Sequence, residues 1–360
     1  MTRSPLHPAI GDSTAPAPRS ITVVIPTHRR PDFLRSALES VRNQSRLDLV
    51  LEIVVSENSE DPRSEVVCRE FQDLPVRFIR QSPPFDAYLH LARLPTLAAT
   101  PLVALLGDDD MWSRYHLEEA ARLLASEPAA VACINMAVVA NNSGRGIVGP
   151  HSTLLQSKVA PWIDRFSDHW TWGAKDVLLA SLLWTPLNMW SYVGRRDATI
   201  DAMTVFAEPD QGTDADRFML WRVAKAGPVV IGREVGLFYR MHSDNACARM
   251  ETEAPDVQRR SWRMNLERML DEAAEMGIDP KAEWQKTFGD ADLPSIYTSR
   301  YPMTVECRNA LLQRWGPVRQ LRAPDETAAR FLKTMARELL PPFVQRGVRQ
   351  LLGTLRGVGQ

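Results

Sequence analysis

Short apolar runs alternate with amphipathic stretches over the first third of the chain. Ile21-Thr-Val-Val-Ile25 is β-branched and nearly all apolar, the pattern of a strand buried on both faces of a parallel sheet. Pro26 ends the run, Thr27-His28-Arg29-Arg30 is a polar loop, and Pro31 suits the first turn of a helix. Phe33, Leu34, Ala37, Leu38 and Val41 then recur at helical spacing through Asn43. The same reading predicts strands over 49–55 and 76–80, helices over 62–71 and about 86–99, and a fourth strand over 101–106. That last strand runs through Gly107 into Asp108, Asp109 and Asp110, and a helix is expected to begin near Ser113.

This alternation of strand and helix implies an α/β fold with an open, mostly parallel sheet flanked by helices. Ligands bind such sheets beyond the carboxyl ends of the strands. The polar clusters at 27–30, 56–61 and 108–110 all follow strand ends, so they are expected along one edge, in one site.

Further on, Leu117, Ala120, Ala121 and Leu124 mark the inner face of the helix after Trp112, and 129–140 reads as another strand. Residues 144–186 are irregular and rich in tryptophan, read as core ahead of a sugar-binding wall. A strand is expected over 187–193, leading to Gly194-Arg195-Arg196. An acidic loop over 208–216 precedes a helix over 216–226 that Gly227 and Pro228 terminate. Short strands follow at 229–231 and 235–239.

Beyond Asn245 the pattern turns helical. It ends in a stretch over 342–356 whose arginines Arg346, Arg349 and Arg356 have no acid among them. Such a helix either packs on its own domain or lies on an anionic membrane surface.

Composition narrows the function classes. With 360 residues, 44% hydrophobic, 24% charged and a net charge of −1, the chain has no general nucleic-acid footprint. Its four cysteines form no CxxC pair, which argues against zinc and disulfide frameworks and suits a reducing cytoplasm. The first 20 residues hold four prolines, two arginines and no apolar run, and read as a disordered leader rather than a signal peptide. No stretch reaches the ~18 apolar residues of a membrane span.

The chemistry lies in carboxylates. There is no GxxxxGK[ST] loop, GxSxG elbow or HExxH helix. Three adjacent acids at a strand end repel one another, which suits a cation or basic groups that offset them. A solvated, helix-capping turn is the alternative.

Three motifs in order resemble family 2 glycosyltransferases of the GT-A fold: Ile21-Thr-Val-Val-Ile-Pro-Thr-His-Arg-Arg, Glu52-Ile-Val-Val-Ser-Glu-Asn-Ser, and Leu105-Leu-Gly-Asp-Asp-Asp-Met-Trp. The resemblance covers about 20–245. It implies a nucleotide-diphosphate sugar donor, Mg²⁺ or Mn²⁺, and inverting transfer to a hydroxyl on a carbohydrate, lipid-linked or small-molecule acceptor. The matched span sets a catalytic domain over 20–245 (nucleotide half 20–112, acceptor half 113–245), between the disordered leader over 1–19 and a helical region over 246–360 that the resemblance does not explain. The resemblance also implies a role in surface polysaccharide or glycoconjugate synthesis, and the basic tail and free thiols add a cytoplasmic location with membrane contact.

Carried onto this sequence, the family pattern assigns Pro26, Thr27, Arg29, Glu57, Asp108 and Asp109 to the nucleotide sugar. Asp109, Asp110 and His242 fall to the metal, and Trp190, Arg195 and Arg196 to the acceptor side. Asp216 is the catalytic base, with Asp214 as the near alternative because Ala215 replaces the usual preceding Glu. Gly107 stands where the first Asp of the acidic motif is usual. A non-catalytic, nucleotide-binding member of the same fold is the competing reading. A metal-dependent phosphohydrolase is a third, set against by Pro26-Thr-His where a nucleophilic Asp would follow the first strand.

Overall fold

A computed structural model describes residues 19–144, 146–150, 167–182, 187–212, 214–245 and 255–288. The chain divides into two units, Met1–Gly289 and Asp290–Gln360. The second lies outside the described residues, and with it the basic helix expected at 342–356. The leader over 1–18, Trp162 and Trp184 lie outside them too.

The first four strands are β1 (Ile21–Thr27), β2 (Val50–Glu57), β3 (Val76–Arg80) and β4 (Leu102–Leu105). They are parallel in the order β3-β2-β1-β4. Three helices join them: α1 (Pro31–Arg42), α2 (Arg63–Glu70) and α3 (Ala87–Arg93). Alternate residues of β1 serve two layers. Ile21, Val23 and Ile25 pack with Leu34, Leu38 and Val41 of α1 and with Val67 of α2. Val24 faces the other side and is equally buried. A strand sealed on both faces must be apolar almost throughout, which is why the run from Ile21 to Ile25 reads so clearly.

Past β4 come β5 (Met111–Trp112), α4 (His116–Ser126), β6 (Ala132–Ala140), β7 (Ile147–Pro150), β8 (His169–Trp172), α5 (Ala174–Leu182), β9 (Tyr192–Arg195), α6 (Arg196–Met203), α7 (Ala215–Ala226) and β10 (Val229–Arg240). The sheet continues from β4 through β9, β6 and β10 to β5. β9 is antiparallel to both β4 and β6, so β6 and β10 run the same way as β1 to β4. The carboxyl edge is therefore shared by Thr27, Glu57, the acids after β4, and Arg240. Two further helices, α8 (Pro255–Glu275) and α9 (Pro280–Phe288), follow. α8 packs on α7, where Trp221 Nε1 and Lys225 Nζ both donate to Glu272, each at 2.8 Å.

Several expected elements differ for identifiable reasons. The helix over 86–99 breaks at Arg93, because Pro95 has no N–H to continue it, and a 3₁₀ turn follows over Leu94–Leu97. Met111 and Trp112 pair with Phe238 and Leu237 as β5, which delays α4 to His116. The strand expected from 187 is a 3₁₀ turn over Met189–Ser191, capped where Asn188 Oδ1 accepts the Trp190 N–H, and β9 starts only at Tyr192. α6 was not signalled. The two short strands after Pro228 are one, β10, with irregular register between Gly232 and Leu237. Trp170 and Trp172 are buried, as core.

Gly194 of β9 is required by its neighbour. The phenol of Tyr192, hydrogen-bonded to Thr199 at 2.9 Å, lies where a Cβ on residue 194 would stand. Gly194→Ala is expected to displace the fully buried Tyr192 and lower stability by about 1–3 kcal/mol in urea unfolding.

Candidate active site

The three aspartates occupy a turn in which the Asp110 N–H donates to the Gly107 carbonyl at 3.2 Å. Their side chains have different partners. Asp110 is fully buried, and its Oδ1 accepts the backbone N–H of Arg240 at 2.9 Å. Asp109 is partly exposed, and its Oδ2 accepts from Arg30 Nη1 at 2.8 Å and from His242 Nε2 at 3.1 Å. Asp108 Oδ1 accepts from the same Arg30 nitrogen at 3.4 Å. The second oxygens of Asp108 and Asp110 are buried without a hydrogen-bond partner.

These environments split the acidities. Burial and then the Asp109 charge push Asp108 up to about 7, and the same two causes raise Asp110 well above the carboxylate range. Burial also works against Asp109, but the His242 hydrogen bond and the Arg30 charge outweigh it and hold Asp109 low. The negative charge of the cluster thus concentrates on the acid that faces outward.

Residues 240–245 close one side. Arg240 is buried, its guanidinium 4.9 Å from the Phe33 ring centroid, with Nε and Nη2 unpaired. His242 packs on the same ring at 4.5 Å. Its Nδ1 accepts the Asp244 N–H at 3.2 Å, so the ring proton sits on Nε2 and is donated to Asp109. In this arrangement His242 orients Asp109. Ligating a cation through Nε2 needs the other tautomer and the loss of the Asp244 contact. Asn245 fastens the loop, accepting the His242 N–H at 2.6 Å and donating to the Arg240 carbonyl at 3.1 Å.

Gly107 has a physical cause. A Cβ there would stand 3.3 Å from the Trp190 indole and 3.2 Å from Asp109 Oδ1. Trp112 Nε1 donates to the Trp190 carbonyl at 2.7 Å and fixes the turn that carries this ring. Any side chain at 107 would press on Trp190, whose ring lies beside the acids.

At the end of β2, Glu57 is fully buried. Its Oε1 accepts from Ser59 Oγ at 2.6 Å and from the Arg29 N–H at 3.3 Å, while Oε2 has no partner. Thr27, in register with Glu57, is buried with its hydroxyl unpaired, and Pro26 adjoins it. Of the two arginines after Thr27, the one expected to serve the site does not touch the acids. Arg29 adopts φ 56°, contributes its N–H to Glu57 and leaves its side chain exposed. Arg30 reaches the acids instead.

α7 carries the remaining carboxylates. Asp214 is buried and saturated, accepting from Ser261 Oγ at 2.7 Å and Asn265 Nδ2 at 3.0 Å, both on α8. Asp216 lies in the first turn, and burial, opposed by the Arg217 charge, raises its carboxyl to about 6. The helix ends near the amino edge of the sheet, where β10 begins. Its 12 residues span ~18 Å, so its first turn stands a helix length away from that edge.

Arg195 and Arg196 are not brought to the acids. Arg195 pairs in register with Leu102 at the amino end of β4 and donates to the Ala130 and Pro128 carbonyls. Arg196 donates to the Ala98 carbonyl at 2.9 Å. Their placement at the opposite edge corrects the expectation from the Gly-Arg-Arg motif. The sequence reading assigns no role to Arg30 or Arg240, although each had a signal, Arg30 directly before the helix-starting Pro31 and Arg240 within Tyr239-Arg-Met-His242, two residues ahead of the expected metal residue His242.

Among the described residues no group of three or more His, Cys, Asp and Glu is arranged to hold an ion alone. The oxygen donors suit a hard cation that draws most of its coordination from phosphate oxygens and water.

Residues 22–172 match the family model described as glycosyl transferase family 2. No curated protein matches the chain in sequence. Among solved structures, the chain resembles S. aureus TarS 1–349 in complex with UDP-GlcNAc, with TM-score 0.55, 13% identity, and coverage of 82% of this chain and 81% of that one. It also resembles the mannosyltransferase PcManGT from Pyrobaculum calidifontis in complex with GDP-Man and Mn²⁺, with TM-score 0.50, 15% identity, and coverage of 94% and 86%. The fold is of the GT-A type.

Asp214→Ala takes the acceptor from the Ser261 hydroxyl and leaves the Asn265 amide held by Gln211 Oε1 at 2.9 Å. This substitution is expected to cost about 1–3 kcal/mol in urea unfolding, with nucleotide binding unchanged.

Proposed function

We propose that the protein transfers a sugar from a nucleotide-diphosphate donor to a hydroxyl acceptor with inversion, aided by Mg²⁺ or Mn²⁺. The observation that carries this is the carboxyl edge itself. It gathers an outward-facing ionised Asp109, two guanidinium groups, and unpaired polar atoms on Thr27, Glu57, Asp108 and Asp110. Buried polar atoms without partners in so small a region suit a polar ligand that satisfies them. TarS in complex with UDP-GlcNAc and PcManGT in complex with GDP-Man and Mn²⁺ support the donor class and the cation.

In this reading Glu57 Oε2 accepts an N–H of the base, and Pro26 and Thr27 line the nucleoside. Asp108 and Asp109 face the ribose and diphosphate. A divalent cation held by Asp109 would offset charge on the departing nucleotide. Asp110, locked to the Arg240 backbone, positions the turn. Asp216 removes the acceptor proton as the hydroxyl attacks opposite the leaving diphosphate. A carboxylate raised to about 6 is still ionised at neutral pH and is a better base than an ordinary one. Asp214, with both oxygens occupied, is the poorer candidate. Trp190 beside Asp109 offers an aromatic face to a sugar. The acceptor class is surface polysaccharide or a related glycoconjugate. No described helix is long and apolar enough to cross a membrane. Work in the cytoplasm, with the basic tail on its membrane, fits this reading.

One observation favours a binding protein without catalysis: Gly107 stands in place of the first acid of the motif, and any side chain there would press on Trp190. Turnover of UDP-GlcNAc or GDP-Man with Mn²⁺ separates the two. Any transfer or slow hydrolysis supports the enzyme, and nucleotide binding with neither supports the alternative.

Asp109→Ala is expected to lower transfer at least ~100-fold and remove the metal dependence of donor binding, read by calorimetry with and without Mn²⁺. Asp216→Asn should keep donor affinity and lose ~100-fold or more in kcat. The pH profile of kcat/KM gives a second check. A base must be ionised, so the wild type should gain activity as pH rises through about 6, and Asp216→Asn should lack that limb.

A further inference from the structure

Among the described residues, Arg30 is the cation that touches both Asp108 and Asp109. Its Nη1 lies 2.8 Å from Asp109 Oδ2 and 3.4 Å from Asp108 Oδ1, and its Nη2 donates to the main-chain carbonyl of Asp244. Its backbone is fixed at the entry to α1 by Pro31, which occupies the first helical position. Only the side chain is free to move, and about a fifth of it is exposed.

The same carboxylate is asked to hold two different cations. A divalent ion held by Asp109 would bring a second positive charge to the carboxylate that Arg30 already contacts at 2.8 Å. Two positive groups that close repel strongly where water is scarce. The Asp244 carbonyl is a neutral acceptor and a weak hold on a guanidinium. A diphosphate entering with the ion brings oxygens that match the guanidinium fork better than either present partner.

We infer that Arg30 is an exchangeable counter-charge, which neutralises Asp109 in the free protein and moves to the donor diphosphate when a divalent cation takes Asp109. This rests on the donor and cation assigned above. It gives Arg30 two effects of opposite sign. Arg30 competes with the cation for Asp109 before the nucleotide arrives, and it strengthens nucleotide binding afterwards. A residue with only a structural role would move both affinities the same way or neither. The arrangement also disfavours loading of the cation without the nucleotide.

The test measures two affinities by calorimetry on the full chain: Mn²⁺ alone, and UDP and GDP each at saturating Mn²⁺. Arg30→Gln is expected to bind Mn²⁺ alone about tenfold more tightly than the wild type, and whichever nucleotide the wild type binds about tenfold more weakly. Arg30→Lys serves as a second variant should the first fold poorly. It keeps the charge but cannot span Asp109 and the Asp244 carbonyl together. It should also gain Mn²⁺ affinity and lose less of the nucleotide affinity. Unchanged or weaker Mn²⁺ binding in both variants, or undiminished nucleotide binding in Arg30→Gln, would overturn the exchange and leave the donor reading intact. A wild type that binds neither UDP nor GDP would overturn both.

Discussion

The compensation of three adjacent carboxylates by groups from two distant parts of the chain is the constraint on which the site depends. Asp108, Asp109 and Asp110 follow one another on a single turn, and two of them are almost wholly buried. Left alone they would destabilise the end of β4. Arg30 arrives from the end of β1, while Arg240 and His242 arrive from the end of β10. Asp110 is satisfied on one side by a backbone N–H rather than by a counter-ion. Asp109 alone is held well ionised, and it is the member that faces outward. Electrostatics here separates one working charge from two that shape the turn.

The sheet makes that meeting possible. β10 is parallel to β6 and pairs with β5, the two residues that immediately follow the acidic turn. The chain therefore returns to the acids some 130 residues later with its strand end already in register. β9 runs against its neighbours and lets β6 and β10 share the direction of β1 to β4. Without that reversal Arg240 would stand at the opposite edge. Arg195 and Arg196 show the same rule from the other side. Because β9 is antiparallel, residues at its carboxyl end lie far from the carboxyl ends of the rest.

The nucleotide half was legible because each of its strands is sealed on both faces and reads as an apolar run with a polar stop. The placement of Thr27, Glu57 and the acids along one edge follows from that alone. Legibility failed where tertiary pairing outweighs local pattern. Met111 and Trp112 are a strand only because Leu237 and Phe238 lie beside them. Trp190 is on a 3₁₀ turn because Asn188 caps it, and α6 carries little periodicity of its own. The choice of Arg29 over Arg30 turned on a single positive φ, which swings one side chain outward and sends the next toward the acids. No spacing rule contains that information. Gly107 looked like a defect in the acidic motif, and contact with Trp190 accounts for it.

The bond network joining Asp214 to Ser261 and Asn265 has a consequence for how the protein is divided. Every described residue assigned to the nucleotide precedes position 246, yet the start of α7 is held by a helix that follows it. On the proposed reading, donor handling and acceptor deprotonation rest on separate mechanical supports, and a change in α8 acts on the first turn of α7 without touching the sheet edge.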